Sequence, residues 1–166
     1  MYQVGQYIIY GVEGVCRVDA IGPVDIKGAR QDVDYYTLTT VFQNGKLYIP
    51  VDSGAYSRPI ITREQADQLI ADMPNIDAEV IEINNVRLLT ERYQTFLKSN
   101  DCREWVKLIR SIHAKGIKAA EKGRRLGQVD ERCRKQAEEK LHAELAVALD
   151  IPVKDVREYI AKALEQ

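Results

Sequence analysis

Cysteine, histidine and tryptophan are scarce in this 166-residue chain, at three, two and one respectively. The cysteines, Cys16, Cys102 and Cys133, are odd in number and widely spaced, with no CxxC. Only His113 and His142 could join them around a metal. That pattern speaks against a disulfide framework or a zinc site and leaves buried or incidental thiols. No apolar run approaches the roughly 18 residues of a membrane span. The opening Met1-Tyr2-Gln3-Val4 lacks the basic, then apolar, start of a signal peptide. A cytoplasmic protein with no membrane partner is expected. The phosphate-loop pattern GxxxxGK[ST], GxGxxG and HExxH are all missing. Neither histidine has a serine or cysteine partner recognisable by spacing. No cofactor, no metal and no catalytic activity are expected. There is no internal repeat and no low-complexity segment.

What is present is ordinary globular material, 45% apolar and 30% charged, enough for one domain or two small ones. The net charge of −1 hides an uneven distribution. Residues 1–61 hold five Lys/Arg against six Asp/Glu, residues 62–97 three against seven, residues 98–135 twelve against five, and residues 136–166 four against seven. The excess falls on a helix expected from Asp101 to about Lys122. Its apolar residues are Trp105, Leu108, Ile109 and Ile112, and its other face carries Arg103, Lys107, Arg110, Lys118 and Lys122. Arg124-Arg125 follow in a turn between Gly123 and Gly127. Amphipathic helices normally expose Lys and Arg to water. Here only Glu104 and Glu121 lie between Arg103 and Arg125, so the face is also a candidate footprint for a phosphate backbone.

The N-terminal third reads as β-structure. Tyr7–Tyr10 and Val15–Ile21 flank Gly11 and Gly14, which supply the positive φ of a tight reversal. Asp34–Phe42 and Lys46–Val51 flank Gln43-Asn44-Gly45, and Asn-Gly between β-rich runs is a strong hairpin signal. Pro50 cannot donate to a ladder, which places the fourth strand at an edge or ends it there, and Tyr56–Ile61 adds a fifth. Thr62-Arg63-Glu64-Gln65 is a capping box opening a helix that ends near Asp72. Further helices are expected over Asn84–Lys98, over 101–122, over 131–149 capped by Asp130, and from Pro152 to about Leu164. The fold class is α+β: a small antiparallel SH3/Tudor-like β-barrel over residues 1–61, followed by an all-helical domain over residues 62–166.

Val4-Gly5, Tyr7-Ile8-Ile9-Tyr10, Gly14, Ile26-Lys27-Gly28, Asp34-Tyr35-Tyr36, Leu47-Tyr48-Ile49-Pro50-Val51 and Glu144-Leu145-Ala146-Val147-Ala148-Leu149 occur in an order that resembles the CarD/CdnL family of bacterial transcription regulators. In its N-terminal domain that family resembles the RNA polymerase-interacting domain of the transcription-repair coupling factor. The resemblance implies docking on the RNA polymerase β subunit, through Val24, Ile26, Lys27, Gly28, Lys46, Tyr48 and Pro50 of the barrel; a monomer is expected. It further implies that the helical domain contacts promoter DNA near the upstream bubble edge, without reading sequence, and so stabilises the open complex. The corresponding DNA-contacting residues are Val86, Arg87, Arg103, Lys107, Arg110, Lys118, Lys122, Arg124 and Arg125. Three positions depart from the family pattern. Val24 and Tyr48 stand where relatives commonly have basic residues, and Val86 lies near the position of their DNA-wedging tryptophan. Trp105 is expected in the core instead.

Two other readings remain open from the sequence. One is the same fold used as a protein-binding module on a repair or ribosome-associated machine, without DNA contact. The other is a small enzyme with a Tyr/His site, which a cleft around His113 would support. Tyr10, Tyr35 and Tyr36 could stack on bases but are more often packing residues on a small barrel.

Overall fold

In the computed structural model, which describes residues 1–165, the chain divides into two compact units, Met1–Ile61 and Thr62–Gln166. The first holds five strands: β1 (Tyr7–Tyr10), β2 (Gly14–Gly22), β3 (Tyr35–Thr40), β4 (Lys46–Pro50) and β5 (Ser57–Pro59). All pairings are antiparallel, in the order β4-β3-β2-β1-β5. Gly11 and Gly14, with φ of 46° and 74°, reverse the chain between β1 and β2 through a single 3-10 turn. One face of the sheet buries Ile8, Cys16, Val18, Tyr36 and Leu38, with Tyr10, Ile21, Leu47, Ile49 and Val51 packed around them. Each fully buried aliphatic side chain stabilises such a core by about 1.5–3 kcal/mol.

The expected barrel does not close. β4 and β5 are both edges, and each ends in a proline, Pro50 and Pro59, which has no N–H to bridge the seam. A cavity of about 210 Å³ occupies this place, lined by Tyr2, Tyr10, Tyr36, Ile49, Val51 and Ser57 among others. Tyr2 spans its mouth. Its N–H donates to the Tyr36 hydroxyl at 3.1 Å and its own hydroxyl bonds Ser57 Oγ at 2.7 Å.

The second hairpin is longer than the Asn-Gly signal implies. β3 ends at Thr40, not Phe42. The Thr40 N–H donates to the Gly45 carbonyl at 2.8 Å, and the Asn44 N–H returns to the Thr40 carbonyl at 3.0 Å. Asn44 carries the positive φ, 55°, while Gly45 does not. A β-carbon at Gly45 would sit 3.1 Å from Thr40 Oγ1, and the Gly45 N–H donates to that same oxygen at 2.7 Å. At Gly45 a side chain is therefore disfavoured by crowding against Thr40 rather than by dihedral angle.

The second unit contains α1 (Arg63–Asp72), α2 (Val86–Leu97), α3 (Cys102–Glu121), α4 (Gln128–Leu149) and α5 (Val156–Leu164). The capping box of α1 is formed as expected, with Gln65 N–H to Thr62 Oγ1 at 3.0 Å and Thr62 N–H to Gln65 Oε1 at 2.9 Å. Trp105 is core, its ring buried and its Nε1 donating to the Leu97 carbonyl at 3.4 Å. Leu89, Tyr93, Leu108, Ile112, Ala137, Leu141 and Leu145 complete the interior. Asp130 is not the cap of α4. The helix starts earlier, with Gly127 as N-cap, and Asp130 in its first turn accepts the Gly127 N–H at 3.1 Å. Its other oxygen takes the Tyr93 hydroxyl and the Lys115 ammonium. Pro152 precedes a 3-10 turn, Val153–Asp155, which leads into α5. No helix among the described residues is long and apolar enough to cross a membrane.

Candidate functional site

Two surfaces carry the residues singled out by sequence. The first is the β4 edge with the loop between β2 and β3. Hydrogen-bonded and non-hydrogen-bonded pairs alternate along an antiparallel ladder. Thr40 with Gly45, and Val51 with Asp34, are hydrogen-bonded. Between them Lys46 faces Thr39, Tyr48 faces Thr37 and Pro50 faces Tyr35, and by that alternation all three are non-hydrogen-bonded positions. The N–H and C=O of Lys46 and Tyr48 therefore point away from β3 to the free edge, while the outward C=O of Pro50 accepts the Ser53 N–H at 2.9 Å. Pro50 lacks an N–H where the ladder needs none. The side chains of Lys46 and Tyr48 are exposed. Edge strands of this kind are templates for pairing with another chain.

The loop is fixed at both ends of its outer stretch. Gly28 takes a φ of 90° and lets the Ala29 N–H close onto the Ile26 carbonyl at 3.0 Å. This presents Ile26 and Lys27 to solvent, while Val24 is half-buried. The Arg30 N–H donates to the Tyr35 hydroxyl at 2.9 Å, and its guanidinium meets Asp52 at 2.5 Å. That ion pair holds the Asp52 carboxyl below the usual range. Tyr35 and Tyr36 are thus packing and bracing residues.

Across the sheet, Lys46, Thr39, Arg17 and Tyr7 stand opposite one another on successive strands. A bulge at Asp19, between Val18 opposite Leu38 and Ala20 opposite Thr37, turns its carboxylate into this row. Asp19 accepts from Arg17 Nε at 2.8 Å and from the Thr39 hydroxyl. The Thr39 bond, then the Arg17 bond, lower its pKa.

The second surface is the basic face of α3, and it is not free of acids as the local sequence implied. Arg103 pairs with Asp72 at 2.6 Å and Lys107 with Glu104 at 3.0 Å. Arg110 Nε donates to the Ile76 carbonyl at 3.0 Å, and Lys118 meets Glu82 at 3.0 Å. Three of these four partners lie between Asp72 and Glu82, upstream of α2. Residues 76–85 have no regular secondary structure, and their first part runs along α3 as a strap. The Ser111 hydroxyl, donating to the Glu79 carbonyl at 2.5 Å, fixes its middle. Lys122, Arg124 and Arg125, at the turn between α3 and α4, are exposed, their side chains neither hydrogen-bonded nor ion-paired among the described residues.

At the start of α2, Asn85 Oδ1 caps the helix by accepting the Leu88 N–H at 3.1 Å. Val86 and Leu88 are both exposed there, and Arg87 lies 4.0 Å from Glu91. The strap residues Glu79 and Glu82, and Asp72 before them, are what the reading of α3 missed. The signal available was the acidic excess of residues 62–97 beside the basic one. Which acid meets which base, across more than 30 positions, is not written in local spacing.

His113 is exposed, and burial lowers the His142 pKa. All three cysteines are buried thiols, and burial pushes Cys16 up to about 11. Among the described residues no cluster of three or more His, Cys, Asp or Glu could hold a metal ion. Compared with known proteins, residues 2–61 match the CarD-like/TRCF RID domain family. No curated protein matches the chain.

Proposed function

Because residues 2–61 form a CarD-like/TRCF RID domain, we propose that this protein is a non-enzymatic transcription regulator that docks on the RNA polymerase β subunit through that unit. The observation that carries the reading is the β4 edge, whose outward N–H and C=O groups at Lys46 and Tyr48 can extend a partner's sheet. In such β-addition the backbone supplies affinity, and alternate side chains supply specificity. Tyr48 and the exposed Ile26-Lys27-Gly28 turn are the specificity elements, with the half-buried Val24 preceding that turn. Once docked, the helical unit contacts promoter DNA at the upstream bubble edge and stabilises the open complex. Tethering makes a weak phosphate contact count, because it raises the local concentration of DNA. The setting is the bacterial cytoplasm, and the protein acts as a monomer.

A specific observation favours a second reading, in which the same module serves another machine without touching DNA. Arg103, Lys107, Arg110 and Lys118 are already bonded within their own unit, and Val86 offers no aromatic wedge. The docking reading is tested by two proline substitutions. Leu47 faces Leu38 at a hydrogen-bonded position, so Leu47→Pro breaks the ladder and unfolds the edge. Tyr48→Pro removes the outward N–H and the exposed side chain, and leaves every β3–β4 ladder bond in place. It should leave the melting temperature within a few degrees of wild type yet abolish capture of RNA polymerase. Full polymerase binding by folded Tyr48→Pro would contradict the edge as the docking element.

A further inference from the structure

Lys115, Lys118 and Lys122 recur at the three- and four-residue spacing that places side chains on one helix face. The group that meets Lys118, the middle one, belongs to the protein itself. Glu82, on the strap, lies 3.0 Å from Lys118 Nζ, and its carboxyl is held below the usual range by the Lys118 bond and charge first, then by Lys122 and Lys115. Lys115 makes its own bond elsewhere, to Asp130 at 2.9 Å. The strap upstream of Glu82 is held by neutral carbonyls, Ile76 to Arg110 and Glu79 to the buried Ser111. Its acidic end is held by an ion pair with both partners about half exposed, 48% and 56%.

We propose that the strap is an internal competitor for phosphate, with the Glu82 carboxylate occupying the place at the Lys118 ammonium that a DNA backbone phosphate takes in the bound state. An ammonium donates to a carboxylate and to a phosphate in the same way. An exposed pair of this kind is held weakly, so it yields to a polyanion whose binding releases counterions. The Ser111 and Arg110 anchors stay in place while the Glu82 end lifts. The inference rests on the DNA-contact reading and deepens it, since it makes the apparent neutralisation of α3 a gate rather than an occupied surface.

The test titrates the full chain with a mixed-sequence DNA duplex at low and at moderate salt, using wild type, Glu82→Gln, Lys118→Gln, the double variant, and Glu158→Gln. Glu158 is an exposed acid on α5, paired with Lys162, and controls for net charge. Glu82→Gln is expected to tighten binding by about two- to five-fold, the range an exposed ion pair allows. Glu158→Gln should change little, and Lys118→Gln should weaken binding. The double variant should match Lys118→Gln, because the gain passes through Lys118. If Glu82→Gln binds no tighter than Glu158→Gln, or its gain persists without Lys118, the strap is bracing only, while the DNA reading stands on the loss in Lys118→Gln. If neither wild type nor Glu82→Gln shows salt-dependent binding, the DNA reading falls and the gate with it.

Discussion

Tyr93 donates its hydroxyl to Asp130 at 2.6 Å, and Lys115 meets the same carboxylate oxygen at 2.9 Å. One side chain therefore ties α2, α3 and the first turn of α4, in a place where Asp130 and Tyr93 are buried. Burial, then the bond to Asp130, raises the Tyr93 pKa and keeps the phenol a donor.

Removing the two partners should have unequal effects. Tyr93→Phe deletes one hydrogen bond and should destabilise by about 1 kcal/mol. Asp130→Ala strands the mostly buried Lys115 ammonium and frees the Gly127 N–H, so a loss of about 3–5 kcal/mol is expected. Urea unfolding of both variants reads this directly. Equal losses would show that the carboxylate is not the hub.

Alkaline pH should weaken both units. The folded pKa values of Cys16, Cys133 and Tyr93 all lie above their unfolded values, burial being the largest cause in each. For a group whose pKa is raised on folding, the stability contribution is complete below the unfolded pKa, roughly 8.5 for Cys and 10 for Tyr. It is lost as pH rises through the folded value, which for Cys16 is about 11. Melting temperature should be flat from about pH 7.5, above the ordinary His range, to about pH 8.5, and fall beyond it. At roughly pH 8, still below the ordinary thiol range, the native thiols should resist alkylation that they accept at once in denaturant. Rapid labelling of Cys16 in the native state would contradict its burial.

The β3–β4 turn separates two reasons for an Asn-Gly pair. Asn44→Val places a β-branched residue at φ 55° and should destabilise the first unit by about 1–2 kcal/mol. Gly45→Ala crowds Thr40 Oγ1, and Thr40→Ala in the same chain should recover part of that loss. Additive effects of the pair would contradict the contact as the cause.

Lys122, Arg124 and Arg125 have no side-chain hydrogen bond or ion pair to lose among the described residues. Changing all three to Gln should leave folding unaltered while weakening promoter DNA contact similarly on every sequence, since phosphates carry no base information. Each contact removed should flatten the log–log salt dependence by about 0.9. Measured open-complex lifetime at low salt gives the functional counterpart. An unchanged lifetime and slope would make this turn a solvated surface.

The elements were legible wherever local chemistry decides them. The glycine pair of the first hairpin, the Thr62–Gln65 box and the burial of Trp105 follow from neighbours within a few residues. What escaped depends on residues far apart. Barrel closure fails because Pro50 and Pro59 end both edges, and no periodicity reports where two edges meet. The basic face of α3 read as uncompensated because its acids come from Asp72 and Glu82, on chain that folds back over it. Asp130 read as a cap from its type and place, whereas its partners, Tyr93 and Lys115, lie on two other helices. The bulge at Asp19 is likewise invisible in an alternating pattern that continues unbroken through it.

The central claim is that residues 1–61 are the polymerase-binding unit, and the most direct measurement is the affinity of three chains, 1–61, 62–166 and 1–166, for a fragment carrying the β-subunit lobe. Residues 1–61 are predicted to bind as tightly as the full chain, and 62–166 not to bind. Binding by 62–166 with none by 1–61 would contradict it.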